Sequence, residues 1–535
     1  VDGERQKEGK HAEKTNERPR RRGRQKSLHR ALRGVQPEHG KRDRDDRPRL
    51  RGVREAPIRL HRGIEERGLE MSADVPGTRR LSYKYRIYPT EAQKEAIQAN
   101  IDACRYIYNR LLRMRIGSYQ ATKPTLKVHV LAPGADPESE RPEWLRGEDG
   151  EWVYEEVPNP DYDPEAKPLT KFDCSKLVST IKSQTVSEDG RFFLKEADST
   201  ALIYANNNLD AAYQAFFRRV KQGGKPGFPR FKSRRNPMRA YKTAGAVLSR
   251  RDGEGWEKLK SLSEAEGKWT HVYLPKVGFV RAKIHRMPQG EQVSCAVRAE
   301  ADGTYFAVVN VKNAPMPEAA APVAGPVGIT FGVSHWVVDS DGEVRDLPDT
   351  SDLERRLTRE KRRLSRRKGA RKGETKSANF EKQRLKVARL EAKIRRRREY
   401  AVHGLTSELS KTREAVASRE MASKDMMERD SRTTENIPRK ARRSINKGIA
   451  EGSFAEVNRQ LAYKCAWRGT AFALVPATTA TAQTCSACGH VEKAVADDLR
   501  PRWRCPECGT VHDRKGNGAQ NVPEEGMRLL AEAKE

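Results

Sequence analysis

Apolar and polar residues alternate along Leu81-Ser82-Tyr83-Lys84-Tyr85-Arg86-Ile87-Tyr88, the period-two pattern of a strand with one face covered. Pro89 ends that pattern, and the period then changes. Thr90 followed three residues later by Gln93 is a capping-box signature, and Ile97, Ile101, Cys104, Ile107 and Leu111 fall on one face of the helix it opens. Helical spacing returns over 197–221, with Leu202, Leu209, Ala212, Phe216 and Val220 in register. Short alternating runs follow, such as Thr270-His271-Val272-Tyr273-Leu274 and Tyr305-Phe306-Ala307-Val308-Val309-Asn310-Val311, separated by Gly and Asp. They predict antiparallel strands that would complete a small barrel with residues 81–88.

An Ala/Pro linker, 314–326, leads into a second region. Val327-Gly328-Ile329-Thr330-Phe331-Gly332-Val333 is the unbroken apolar run of a buried strand, and residues 335–342 continue it as a hairpin. Residues 354–400 predict a long helix or helix pair. Phe454, Val457, Leu461 and Cys465 mark one side of a helix at about 453–467, and Ala471-Phe472-Ala473-Leu474-Val475 a strand. Strand hairpin, helices, strand and terminal helix suggest an α/β layer. The stretch 132–173 is acidic, rich in Pro and Gly, and holds Trp144 and Trp152; it is a loop or small insertion with no derivable role. Residues 1–80 contain no Phe, Trp or Tyr and cannot bury a core alone. They are expected to form a disordered basic arm or, since the first Met is Met71, to be a mis-called start.

Charge changes the picture. The chain of 535 residues carries a formal net charge of +32, so a polyanion, nucleic acid first, is the expected partner. Residues 354–400 hold 21 Lys/Arg against 6 Asp/Glu, too one-sided for i,i+4 pairing, which makes Arg362, Arg363, Arg366, Arg367, Lys386, Arg389 and Lys393 candidates for phosphate contact. The loop Gly223–Arg235 interleaves Phe228 and Phe231 with Lys225, Arg230, Lys232, Arg234 and Arg235. That pattern suits base stacking beside phosphate pairing; a loop anchored by its two Phe side chains is the simpler alternative. No apolar run approaches the ~18 residues of a membrane span, and a cytoplasmic, nucleoid-associated protein is expected.

Cys485-x2-Cys488 and Cys505-x2-Cys508 are separated by sixteen residues, and each pair is followed by Gly (Gly489, Gly509). Four thiolates at this spacing predict a tetrahedral Zn²⁺ site, structural rather than catalytic. Cys104, Cys174, Cys295 and Cys465 are scattered and read as packed thiols.

In order along the chain, several segments resemble one family. These are Tyr85-Arg86-Ile87-Tyr88-Pro89-Thr90, Ala215-Phe216-Phe217-Arg218-Arg219, the run Lys225–Lys232, Gly328-Ile329 with Gly332-Val333, Leu461–Trp467, and Thr481–Gly489. The family is TnpB, transposon-encoded RNA-guided nucleases related to type V CRISPR effectors. The resemblance implies a multidomain α+β protein: an N-terminal oligonucleotide-binding β-barrel with a helical recognition lobe (81–320, helices about 90–222), then a RuvC-like, RNase H-type α/β domain (321–535) with an inserted zinc ribbon (482–511). It also implies a guide RNA and double-stranded target DNA as partners; the oligomeric state is left open.

The family's nuclease centre is three carboxylates holding divalent ions. Where its first motif reads Gly-Ile-Asp-Leu-Gly, this chain has Thr330; the second aligns best on Arg419, with Glu420 one register away and Met426 matching a downstream Met; the third, Asp-x-Asn-Ala, falls on Lys515-Gly516-Asn517-Gly518. A Lys ammonium about 4 Å from a divalent ion is repelled by about 8 kcal/mol at an effective dielectric of about 20, and hard cations need oxygen ligands. The expectation is therefore RNA-guided DNA binding without cleavage, acting by occupancy such as repression. The alternatives are an active endonuclease using Mg²⁺ and relocated acids, drawn from Glu420, Asp513, Asp339 or Asp341, and the product of a decaying transposon gene.

Overall fold

β1 (Thr78–Tyr88) buries Tyr83, Tyr85 and Ile87 and turns Ser82, Lys84, Arg86 and Tyr88 to the other side, as its alternation requires. In the computed structural model, the described residues are 76–532 apart from 134–143, 148–152, 188–189, 225, 234–235, 254, 266–268, 320, 368–376, 422–426, 428–438 and 497–501. Most of the arm 1–80, together with Trp152, Lys225, Arg234, Arg235 and Met426, therefore lies outside them.

The elements after β1 are α1 (Glu91–Ala121), β2 (Thr125–His129), β3 (Tyr154–Pro158), α2 (Lys171–Gln184), α3 (Phe193–Glu196), α4 (Ser199–Lys221), β4 (Ala240–Thr243), β5 (Val247–Asp252), β6 (Gly255–Lys258), β7 (Thr270–Leu274), β8 (Gly278–Lys283), β9 (Glu291–Ala299) and β10 (Tyr305–Pro315). Then come β11 (Val327–Phe331), β12 (Val337–Asp339), β13 (Val344–Arg345), α5 (Ser351–Arg366), α6 (Ala378–Thr412), β14 (Ala415–Arg419), α7 (Arg439–Gly452), α8 (Phe454–Arg468), β15 (Ala471–Val475), β16 (Arg502–Arg504), β17 (Val511–Asp513) and α9 (Arg514–Glu532). The chain divides into two compact units, one taking in Gln98–Tyr241 and the other the described part of Val53–Ile97 with Lys242–Glu535.

The first unit is helical. Ile101, Cys104, Ile107 and Leu111 of α1 are buried, as are Leu202 and Leu209 of α4. The acidic insertion is more than a loop: β2 and β3 pair antiparallel, and His129 lies between Trp144 (5.4 Å) and Tyr154 (4.5 Å). α2 starts at a capping box in which Thr170 and Asp173 exchange side-chain and backbone bonds.

The second unit carries two sheets. The larger has eight strands in the order β4-β9-β10-β1-β8-β7-β5-β6. The expected barrel is not closed among the described residues, because the end strands β4 and β6 are not hydrogen-bonded to each other. Both are only four residues long. Alternation in a sequence specifies strands, whereas closure depends on tilt and stagger that alternation does not encode.

The smaller sheet runs β13-β12-β11-β14-β15, with β11–β14 and β14–β15 parallel and the hairpin edge antiparallel. On one face, Ile329 and Phe331 join Leu405, Leu409, Val457 and Leu461 in an apolar core. α9 lies on the other face at close range. A methyl group on Gly328 would sit 2.4 Å from Pro523, and one on Gly526 would sit 2.4 Å from Ala417.

Candidate nucleic-acid interface and metal cluster

The four cysteines come together after β15. Their sulfurs all lie within 4.8 Å of one another, with Cys485 and Cys508 3.6 Å apart and Cys488 and Cys505 3.7 Å apart. Ligands at about 2.3 Å in a tetrahedron stand about 3.8 Å from each other, so the cage fits a single ion such as zinc. Gly489 and Gly509 supply the left-handed turn of each knuckle (φ 77° and 71°), and their N–H groups donate to the carbonyls of Cys485 and Cys505. His512 adds what the cysteine spacing does not announce: its Nε2 is 3.0 Å from the Cys485 sulfur, and its ring packs on Trp503. The ribbon is also tied to α9. Asn517 donates to the Thr484 carbonyl and accepts from the Ser486 N–H, while Asn521 donates to the Thr481 and Thr484 carbonyls.

A second assembly forms where β11 and β14 end and α9 begins. Ile329 pairs with Ser418 across the parallel strands, which makes Thr330 and Arg419 the next step of the ladder. Ser418 donates to Asn458 of α8 on the apolar-core side, so strand alternation sends Arg419 to the α9 side. Thr330 is buried there, its hydroxyl 3.4 Å from the carbonyls of Val338 and Lys515. Lys515 bonds to the Ser334 hydroxyl, and its chain occupies the space a methyl on Gly332 would need. Burial pushes its ammonium below the usual lysine range, with Asp513 and Asp346 acting in the other direction. The Arg419 guanidinium donates to the carbonyls of Ala477 (3.3 Å) and Thr479 (3.5 Å). Burial and then the charge of Arg514 lower its pKa.

Three of the four candidate acids have other work. Asp513 caps α9, accepting from the N–H groups of Lys515 (3.1 Å) and Gly516 (2.9 Å). Asp339 is buried, receives the N–H groups of Asp341 and Glu343, and pairs with Arg345 at 2.9 Å. Asp341 pairs with Arg413 at 2.6 Å. Glu420 is exposed, one residue beyond β14. Among the described residues, the four cysteines are the one group of three or more His, Cys, Asp or Glu side chains close enough to share an ion.

Three family models match this chain: a "Helix-turn-helix domain" over residues 79–124, a "Probable transposase" over 307–430 and a "Cas12f1-like, TNB domain" over 454–522. A "Putative RNA-guided DNA endonuclease" of Streptomyces pristinaespiralis is 24% identical over 452 residues, covering 84% of this chain and 90% of the relative. The "Putative RNA-guided DNA endonuclease InsQ" of Escherichia coli (strain K12) is 24% identical over 453 residues, covering 84% and 93%. These matches agree with the resemblance to the TnpB family read from the sequence. Among solved structures, it is similar to a Cas12f1–sgRNA–target DNA complex (13% identity, TM-score 0.39, 84% of this chain and 99% of that one) and to CasPhi-2 (Cas12j) bound to crRNA (8%, 0.39, 84% and 98%).

The candidate cations of α5 and α6 divide into two sets. Arg363 pairs with Glu360, Arg367 bonds to Gln383 and the Asn379 carbonyl, and Arg389 reaches the Asp302 carbonyl. Arg362, Arg366, Lys386 and Lys393 are exposed and have no ion pair among the described residues. In the loop after α4, Phe228 packs edge-on against Tyr213 and Phe216, which makes it an anchor rather than an open stacking platform. Phe231 is half-buried; Lys232 is pinned through its backbone to Asn109, and burial lowers its ammonium's pKa. Arg230 is exposed. No helix among the described residues is long and apolar enough to cross a membrane.

Proposed function

We propose that this TnpB-family protein binds DNA under the direction of a guide RNA and holds its target without cutting it, acting by occupancy such as transcriptional repression. The observation that supports this reading is that Thr330 and Arg419 stand at the ends of the paired strands β11 and β14, with the Thr330 hydroxyl 3.4 Å from the Lys515 carbonyl. Two cations and a hydroxyl offer a pair of Mg²⁺ ions neither charge nor the oxygen ligands such ions require. Of the fallback acids, Asp513 is committed to the helix cap and Asp339 and Asp341 to arginines, which leaves Glu420, exposed just beyond β14.

The remaining parts support binding. The order hairpin, β11, β14, β15 suits a RuvC-like, RNase H-type sheet, and the eight-stranded sheet and, separately, the helices of the first unit would each offer nucleic-acid contacts. The exposed cations Arg362, Arg366, Lys386 and Lys393 would follow a phosphate backbone by shape and charge, leaving sequence to base pairing. Zn²⁺ on the four cysteines would brace the ribbon against α9. The names of the relatives favour a second reading, an RNA-guided DNA endonuclease with acids recruited from Glu420 or Asp513.

The test is to purify the protein from cells, sequence the RNA that travels with it, and present a plasmid matched to that RNA with Mg²⁺ or Mn²⁺. Retention of the plasmid without nicking is expected. Nicking that disappears with a chelator would establish the second reading instead.

A further inference from the structure

His512 is buried in the middle of β17, between the exposed Val511 and Asp513, so strand alternation separates its ring from theirs. Its cross-strand partner is Trp503 of β16, and the two rings stand 4.9 Å apart. Held in this way, the imidazole brings Nε2 to 3.0 Å from the Cys485 sulfur. That nitrogen does not belong to the cage itself: the mutual cluster within 4.8 Å takes in the four sulfurs and not His512. It meets one sulfur from outside.

A metal-bound thiolate carries no proton, so the contact is favourable only with the imidazole N–H directed at the sulfur. Cys485 is buried, and four thiolates around a divalent ion leave negative charge in excess, which a charge-assisted hydrogen bond relieves where water cannot. Cys508 meets the Thr510 hydroxyl at 3.2 Å, but that sulfur is exposed and water can replace the contact. We infer that His512 is a positioning residue of the metal centre, donating its Nε2–H to the Cys485 thiolate from outside the cage and slowing loss of the ion. The same contact reaches α9. Asp513, next along the chain, caps that helix, and Asn517 in its first turn holds the residues on either side of Cys485. Metal occupancy and the seat of α9 are thereby linked at one sulfur.

This inference rests on the metal-bracing reading above but is measured separately from it. Full-length protein is purified with its metal, the content is determined by elemental analysis, and release is timed with an excess of a chromogenic chelator. His512→Phe keeps a ring against Trp503 and removes the donor, whereas His512→Gln keeps a donor of similar reach. The Phe variant is expected to release its metal about 10–100-fold faster than wild type, with the Gln variant much closer to wild type. In cobalt-loaded protein, the sulfur-to-metal charge-transfer band should move to longer wavelength in His512→Phe and stay in place in His512→Gln. A packing role alone would lower the melting temperature and leave that band unmoved. Should His512→Phe fail to fold, His512→Asn, whose amide is one methylene too short to reach the sulfur, takes its place. Equal release rates for wild type and the variant without a donor would overturn the inference, as would an unmoved band. Cobalt X-ray absorption of the wild type showing three sulfurs and one nitrogen would also overturn it, by making His512 a ligand. Protein that holds no metal and takes up none when zinc is supplied would defeat the metal-bracing reading itself.

Discussion

At the scale of single residues, the clearest signals were those whose chemistry dictates spacing. The four cysteines were legible because a tetrahedral cage needs two close pairs joined by a loop. Replacing Cys488 with Ser is expected to reduce bound zinc from one ion per chain to none, read by elemental analysis, and to lower the melting temperature. His512 was less legible, since its approach to Cys485 depends on a two-stranded pairing of β16 and β17. Lys464 was not legible at all. It is buried and donates to Thr406, Ser407 and the His403 carbonyl, and burial pushes its ammonium down to about 8. Below pH 8 both folded and unfolded chains hold that proton. Between about pH 8 and the ordinary lysine value, the unfolded chain binds it more tightly, so stability rises with pH across that window. Chemical denaturation of wild type and Lys464→Met should show wild type gaining stability relative to the variant from pH 8 to 10, and no such trend from pH 6 to 8.

At the scale of elements, β11 and β15 were readable from short apolar runs, and α8 from its spacing of Phe454, Val457, Leu461 and Cys465. β14 was not. Its five residues are covered on both faces, so Ala415-Val416-Ala417-Ser418 shows no alternation to read. That omission mattered, because β14 is what delivers Arg419 to Thr330. The close seat of α9 gives a paired prediction. Gly328→Ala would press a methyl against Pro523 and the Ala519 carbonyl, neither of which can yield easily. A loss of about 1–3 kcal/mol is expected in denaturant unfolding. Gly332→Ala would chiefly displace the flexible end of Lys515, so its loss of stability should be smaller while the reactivity of the Lys515 amine to acylation, followed by mass spectrometry, should rise.

At the scale of the whole molecule, the positive excess and the order of motifs pointed to nucleic acid and to the family. The connection between β4 and β6 that a barrel would need was beyond what strand patterning conveys. A direct test of the site as an assembly is to restore its charge. Thr330→Asp, Arg419→Glu and Lys515→Asp combined should give Mg²⁺-dependent nicking of a matched plasmid, whereas each single substitution should give none, because one carboxylate beside remaining cations pairs with them instead of gathering ions. Neutralising Arg362, Arg366 and Lys393 together should flatten the salt dependence of DNA binding by about 3 in the logarithmic slope.

The position of Lys515 across Gly332 has an evolutionary consequence. With that side chain filling the approach to β11 and the Arg419 guanidinium fastened to the Ala477 and Thr479 carbonyls, a single substitution to an acid would meet an occupied, oppositely charged neighbourhood and give selection nothing to favour. Under the non-cutting reading proposed above, descendants of such a gene would be held by a ratchet: they could diversify in what they grip, but regaining the scissors would require several changes arriving together.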